Sequence, residues 1–194
     1  SSIAWNNSYV DRRMERVPTL KSELKEIVNK YKGHLIATTA CIGGELGTLI
    51  LQLHECELVN DMTNAQVYYQ KIIDFLTYCQ ELFGEDFYLE CAPSDKEDQI
   101  TVNRRLLKIA EGLELKLTVG TDAHYLKKED RYVHKAYLNS KGGEREVDDF
   151  YEFTYIMSPD ELKDFLRLSF NDDDVIENIF LTSIELQNKI EFYS

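Results

Sequence analysis

Three short apolar runs constrain this chain more than any other feature. They are His34-Leu35-Ile36-Ala37-Thr38-Thr39, Asp86-Phe87-Tyr88-Leu89-Glu90-Cys91-Ala92 and Leu113 to Thr121. Each is rich in β-branched or aromatic residues and reads as a buried strand. The stretches that separate and follow them carry apolar residues at helical spacing. An alternation of strand and helix means parallel βαβ units, and so an α/β fold. The third run ends in Gly120-Thr121-Asp122-Ala123-His124. Side chains two apart on a strand point the same way. Asp122 and His124 are therefore expected to aim at one point. In parallel α/β folds, ligands and metals sit at that carboxyl end of the strands.

The helices are legible from their periods and stops. Leu20, Leu24, Ile27, Val28 and Tyr31 share a face after Pro18, and Gly33 ends the run. Ala40-Cys41-Ile42-Gly43-Gly44 turns into a helix from Glu45 to about Leu53, so Cys41 also stands at a strand end. Asn60 to Met62 reads as a loop. From Ala65, the residues Tyr68, Tyr69, Ile72, Leu76, Cys79 and Phe83 form a long amphipathic stripe, closed by Gly84. Pro93-Ser94-Asp95 offers caps for a helix carrying Val102, Leu106, Ile109 and Ala110, with its end expected at Gly112. Lys127 to about Asn139 looks helical. Ser140 to Gly143 reads as a loop and Glu144 to Asp149 as an exposed acidic stretch. Phe153 to Met157 is expected to be extended. Ser158-Pro159-Asp160-Glu161 is a helix start with a capping box, and Met157 and Leu162 suit a hydrophobic staple across it. A last helix is expected from about Asp173 to Lys189. The run Asp11 to Arg16 is of mixed charge and reads as a solvated face.

At 194 residues with 43% apolar content, the chain is expected to form one domain with a real core. The 35 Asp and Glu outnumber the 22 Lys and Arg, giving a net charge of −13. A phosphate backbone is repelled by most of such a surface, which argues against strong non-specific DNA binding by this chain alone. No apolar run approaches the roughly 18 residues of a membrane span. The polar amino end carries no apolar export region, and without an initial Met it reads as processed or cut from a longer chain. Cys41, Cys56, Cys79 and Cys91 show no CxxC spacing, so reduced thiols and a cytoplasmic location are expected.

Asp122 and His124 together suit a divalent metal such as zinc or manganese. The alternative is an Asp–His hydrogen bond that ties a loop. Cys41 is a third candidate ligand. Glu90 reads as a partner of Arg104 or Arg105. His34, His54 and His134 read as structural or solvent-facing, with His54 near a helix end. The chain has no HxH, no HExxH, no GxGxxG and no P-loop. A hydrolytic metal site needs three or more protein ligands and an open position. Cys41, Asp122 and His124 are the whole of the candidate set.

Several segments, taken in order, resemble the PHP (polymerase and histidinol phosphatase) domain in the alpha subunit of bacterial DNA polymerase III. Thr39-Ala40-Cys41-Ile42-Gly43-Gly44-Glu45-Leu46 resembles that domain's Ser-Gly-Cys-Leu-Gly-Gly-Glu segment. Phe87-Tyr88-Leu89-Glu90, followed by Asn103, Leu106 and Ala110, resembles its Tyr-Leu-Glu segment and the Asn-x-x-Leu helix after it. Gly120 to Leu126 resembles its Thr-Asn-Asp-x-His-Tyr signature, with Thr121 where the family usually has Asn. Ser158 to Leu162 and Glu185 to Ile190 resemble the region where the domain leads into the palm, so helices from about 158 to 194 are expected to lead there.

The resemblance implies part of a distorted (β/α)7 barrel, lacking its first strands and about 100 residues. It implies that Cys41, Asp122 and His124 match the last ligand positions of a zinc, manganese or magnesium centre. The earlier ligands would lie outside this chain. It implies a parent that synthesises DNA, with the PHP part a metal-dependent 3′–5′ proofreading exonuclease or a module that docks an exonuclease subunit. DNA would be held by other domains of that parent. The fragment alone is expected to be inactive, and its remaining sheet to carry an open edge at the Gly33–Thr39 strand. A stand-alone PHP-family phosphoesterase is the alternative reading.

Overall fold

The computed structural model describes residues 8–11, 14–140 and 151–191. The expected loop from Lys141 and the acidic stretch Glu144 to Asp149 lie outside the described residues. The chain divides into two compact units. One comprises the described part of residues 1–37 with Ile73–Phe87, and the other Thr38–Ile72 with the described part of 88–194.

In the smaller unit, β1 (Tyr9–Asp11) and β2 (Met14–Arg16) form an antiparallel hairpin, with Tyr9 opposite Arg16. The described residues of the mixed-charge run, Asp11 and Met14–Arg16, thus lie in this strand pair, and Arg16 is exposed. Helix α1 (Lys21–Lys30) starts with the Glu23 carboxylate accepting from the Leu20 N–H at 2.9 Å. The chain turns out of it at Gly33, whose φ of +79° is left-handed. Tyr78 donates its hydroxyl to the Lys21 carbonyl at 2.6 Å, and the Lys21 ammonium lies over the rings of Phe75 and Tyr78.

A three-stranded parallel sheet, all of it but Ala37 and Phe87 in the larger unit, has the order β3 (Ala37–Thr38), β4 (Phe87–Cys91), β5 (Lys116–Val119). In the pairing of β4 with β5, Tyr88 stands opposite Lys116 and Cys91 opposite Val119. Strand β4 is central, and Phe87, Tyr88, Leu89 and Cys91 are all buried. Such two-sided burial requires a continuous apolar strand, which this segment supplies. Helices α2 (Glu45–Leu58) and α4 (Glu97–Leu113) pack together and bury Leu46, Ile50 and Leu53 from one, Val102, Leu106 and Ala110 from the other. Helix α3 spans Met62–Phe83 and α5 spans Arg131–Asn139. Helix α6 (Pro159–Ser169) has the expected capping box, with the Glu161 N–H donating to the Ser158 hydroxyl and the Ser158 N–H donating to the Glu161 carboxylate. Met157 is buried and Leu162 packs on its cluster, as the staple predicts. Helix α7 (Asp173–Asn188) lies against β5 and buries Ile176 and Ile179. The described residues thus contain seven α-helices on an α/β plan, and no helix among them is long and apolar enough to cross a membrane.

The strands are shorter than the apolar runs suggest. Residues 31–34 form a turn, with the His34 N–H donating to the Tyr31 carbonyl, so only Ala37–Thr38 of the first run is strand. Helix α4 runs through Gly112 to Leu113. Glu114 takes the left-handed conformation (φ +53°) and donates to the Ala110 carbonyl, consuming the start of the third run. Ser94 does not cap α4. Its hydroxyl accepts from the Lys96 N–H, and the helix begins at Glu97. Asp61 moves the start of α3 ahead of the expected position, accepting from both the backbone and side-chain nitrogens of Asn64.

A polar clamp joins α7 to the sheet. Tyr88 is fully buried, and its hydroxyl donates to Glu185 Oε1 at 3.0 Å. Lys116 Nζ donates to the same oxygen at 2.6 Å. The Lys116 hydrogen bond, and then that of Tyr88, hold the Glu185 carboxyl below the ordinary carboxylate range against the effect of burial. A depressed carboxyl stabilises the fold above its unfolded pKa and loses that contribution as pH falls through the folded value. Glu185 is 39% exposed, so solvent screening limits the effect to about 1 kcal/mol or less. The melting temperature of Glu185→Gln is expected to lie below that of the unsubstituted chain at neutral pH. The gap should close as pH falls below about 4.3, which melts across that range would check.

Candidate functional site

The carboxyl ends of the three strands open on one cavity of about 340 Å³. Each strand ends in backbone that departs from the ladder. After β3, Ala40 is left-handed (φ +60°) and swings Cys41 toward the cavity. The following turn closes when the Gly44 N–H donates to the Cys41 carbonyl at 2.8 Å. A Cβ on Gly44 would lie 2.9 Å from the Thr39 carbonyl oxygen, so this position requires glycine for close approach. After β4 come Ala92, Pro93 and Ser94. After β5, Gly120 donates to the Cys91 carbonyl, Thr121 lines the cavity and Asp122 turns left-handed (φ +45°). The first residues of α4, among them Lys96 and Gln99, and the Phe153–Thr154 segment complete the wall.

Asp122 and His124 do meet, with His124 Nε2 3.4 Å from Asp122 Oδ1. They meet in a loop, because β5 stops at Val119 and the left-handed Asp122 breaks the strand period. The loop is held from the far side. The His124 N–H donates to the Thr154 carbonyl at 2.7 Å, and Tyr125 and Tyr155 form a single parallel bridge. The Tyr125 hydroxyl reaches the carbonyls of Tyr151 and Glu152 at 2.7 and 2.9 Å. The turn 151–153 and the Thr154–Met157 stretch after it thus serve as the splint of the Asp122–His124 loop, and Phe153, expected to be extended, lies in that turn.

Cys41 and Asp122 line the same cavity, whereas His124 turns to the rings of His134 and Tyr151 at 5.3 and 4.8 Å. His134 is therefore part of this neighbourhood and not simply solvent-facing. Desolvation first, and then the neighbouring His124, hold its imidazole below the ordinary histidine range, which favours the neutral ring. Glu90 does not pair with either arginine. Its side chain lies over Gly120, while Arg104 donates to the Ser169 and Leu168 carbonyls and Arg105 binds Glu57. His34 is exposed, and His54 lies inside α2, which continues to Leu58.

The donor chemistry of Cys41, Asp122 and His124 suits a borderline cation. Among the described residues, however, no group of three or more His, Cys, Asp or Glu is placed to hold a metal ion. The Asp–His contact supplies two donors where a metal centre takes three or more. No chemical step through a metal is derived from these residues. Lys96, Gln99, Phe153 and Thr154 on the cavity, and His134 and Tyr151 beside His124, had no signal in local spacing. They come from elements far from the Asp122–His124 loop along the chain, or from the next helix.

No family model matches the chain. Over its whole length it is 42% identical, across 195 aligned positions, to the Probable DNA polymerase YorL of Bacillus subtilis strain 168. It is equally similar to a DNA-directed DNA polymerase of Bacillus phage SPbeta. In both cases it spans 15% of the relative's length. The DNA polymerase III subunit alpha of Aquifex aeolicus strain VF5 is 36% identical over 109 residues, covering 56% of this chain and 8% of that one. From end to end, the chain is similar to one segment of a much longer DNA polymerase.

Proposed function

We propose that this chain is a PHP-type segment of a replicative DNA polymerase, and that Cys41, Asp122 and His124 are its share of a divalent metal centre. The remaining ligands would come from another part of the parent chain, which would extend primers through residues outside this segment. One observation carries the reading. A chain that matches a polymerase segment along its whole length places Cys41 and Asp122 on one cavity at the ends of parallel strands, with His124 in contact with Asp122. The carboxylate, imidazole and thiol are the donor types that zinc or manganese accepts. When bound, such an ion supplies an activated water for phosphodiester hydrolysis. In this proposal the chain's own residues hold the donors in place: Ala40 and Asp122 through their left-handed backbone, and Tyr125 through its hydroxyl.

The test uses the parent polymerase, its metal content measured, with single-stranded DNA and added manganese or zinc. Hydrolysis from the 3′ end and bound metal are expected, both lost in Asp122→Asn and His124→Ala while matched primers are still extended. Metal content and hydrolysis unchanged in both variants would overturn the ligand assignment. A parent chain that extends no primer would overturn the polymerase assignment.

A further inference from the structure

Gln99 stands in the first turn of α4, on the wall of the cavity, and is only 8% exposed. Its Nε2 donates to Asn103 Oδ1 at 2.9 Å. The backbone of Ala92 fixes which way both amides face. The Ala92 N–H can only donate, so it selects Asn103 Oδ1, and the Ala92 carbonyl can only accept, so it selects Asn103 Nδ2. The group that Gln99 turns to Asn103 Oδ1 must then be its NH2. Gln99 Oε1 is left outside the network, without a hydrogen-bond partner among the described residues.

That oxygen is not sealed in protein, since no fully buried side-chain nitrogen or oxygen among the described residues lacks a partner. The open space that Gln99 lines is the cavity of about 340 Å³, with a crevice of about 10 Å³ that shares Cys41, Ile42 and Ala92 with it. The crevice has room for no more than a water, whereas the cavity has room for a small organic molecule. Its wall is otherwise largely apolar, through Ile42, Ala92, Pro93 and Phe153. Ser94, 6% exposed, adds one more fixed polar group. Its hydroxyl accepts from the Lys96 N–H, and its own hydrogen has no acceptor among the described residues. Apolar walls with a few polar atoms held in place suit a flat ring with a polar edge. A pinned, unpartnered carbonyl oxygen calls for an N–H on that edge. An exocyclic amine projects from its ring and so reaches an acceptor set in a wall.

We propose that the cavity takes a nucleobase bearing an exocyclic amine, adenine or cytosine, and that Gln99 is its specificity-determining residue, with Oε1 accepting from the amine. Asn103 is then a positioning residue, because it holds the Gln99 amide in one orientation. That the ring belongs to a nucleoside rests on the polymerase reading above. The unpartnered acceptor on the cavity does not.

The experiment is a calorimetric titration of this chain, without added metal, with deoxyadenosine and deoxycytidine. The tighter of the two names the base, and it is compared with the same nucleoside lacking its amine, purine deoxyriboside or pyrimidinone deoxyriboside. The amine-free nucleoside is expected to bind about tenfold more weakly, the loss of one hydrogen bond. In Gln99→Met the preference should vanish, with the amine-bearing nucleoside falling to the level of the other. Methionine keeps the length of the side chain and has no carbonyl. It also takes a donor from Asn103, so the melting temperature of the variant is measured beside its binding. The comparison of two ligands on the unsubstituted chain needs no variant to fold. Failure of both amine-bearing nucleosides to bind would overturn the proposal. So would equal affinity for the nucleosides with and without the amine, or a preference that survives Gln99→Met. No metal and no primer enter the titration, so the metal centre and the polymerase assignment fail separately, in the parent chain.

Discussion

Asn103→Leu is expected to lower the unfolding free energy by about 3 kcal/mol or more, read as a shifted midpoint in urea at an unchanged slope. Asn103 is fully buried and sits in the middle of α4. Its Oδ1 accepts from the Ala92 N–H at 3.2 Å and from Gln99 Nε2 at 2.9 Å. Its Nδ2 donates to the Ala92 carbonyl at 2.8 Å and to the Ser169 hydroxyl at 2.9 Å. One amide thus satisfies both backbone groups of the residue that follows β4, and it also ties in the end of α6. Leucine is close in size and loses little packing. It takes a partner from the buried Gln99 amide and the buried Ser169 hydroxyl, as well as from the half-buried N–H and carbonyl of Ala92, and each buried group left unsatisfied costs about 1–3 kcal/mol. That is a large part of the roughly 5–15 kcal/mol that holds a domain folded. Asn103→Asp is the informative companion. It keeps the acceptor side and turns the donor side into an oxygen facing the Ala92 carbonyl, so it should be destabilised as well. If both variants melt like the unsubstituted chain, the network is not what holds the Ala92–Ser94 wall of the cavity.

The second large effect is expected at Gly47, in the first turn of α2. A Cβ there would lie 2.5 Å from the Ile42 carbonyl oxygen and 2.8 Å from Ile42 Cα. These are backbone atoms of the turn that carries Cys41, so no side chain can swing aside. Gly47→Ala sets two effects against each other. Alanine favours the helix by about 1 kcal/mol, whereas forcing an extra carbon into a packed contact costs about 1–3 kcal/mol. The clash is with backbone, so the cost should win, with a net loss of about 1–2 kcal/mol and a displaced Cys41. Gly112→Ala is the matched control. It stands in α4 with nothing within 4 Å of the added carbon, and should stabilise by the helix term alone. The comparison needs only urea denaturation of the two single variants. Stabilisation by Gly47→Ala would mean that α2 does not rest on the Ala40–Gly44 turn.

The apolar runs and helical periods carried most of the architecture, because burial on both faces of β4 leaves a continuous hydrophobic signature that survives in one dimension. The helix start at Ser158 was legible in full, since a capping box is a local device whose partners lie three residues apart. Boundaries were less legible where backbone conformation decides them. Glu114, Ala40 and Asp122 all adopt left-handed φ without being glycine. Nothing in their side chains announces this, and each shortens or ends an element that the hydrophobic pattern would extend.

The site divides in the same way. Sequence alone placed Cys41, Asp122 and His124 after strands of a parallel sheet, and so at the end where parallel folds bind ligands, but the strand before Cys41 is not the buried one expected, since Ala37 is half-buried and Thr38 exposed. Only the tertiary structure decided how they are used. It puts Cys41 and Asp122 on one cavity, and brings Asp122 to His124 through a turn in place of a strand period. It also packs His124 against His134 and Tyr151. The physical reason is range. Strand and helix periods are set by neighbours along the chain, whereas a site is assembled across the ends of several elements. There, a hydrogen bond from His124 to Thr154 fixes an orientation that the 29 residues of sequence between them do not record.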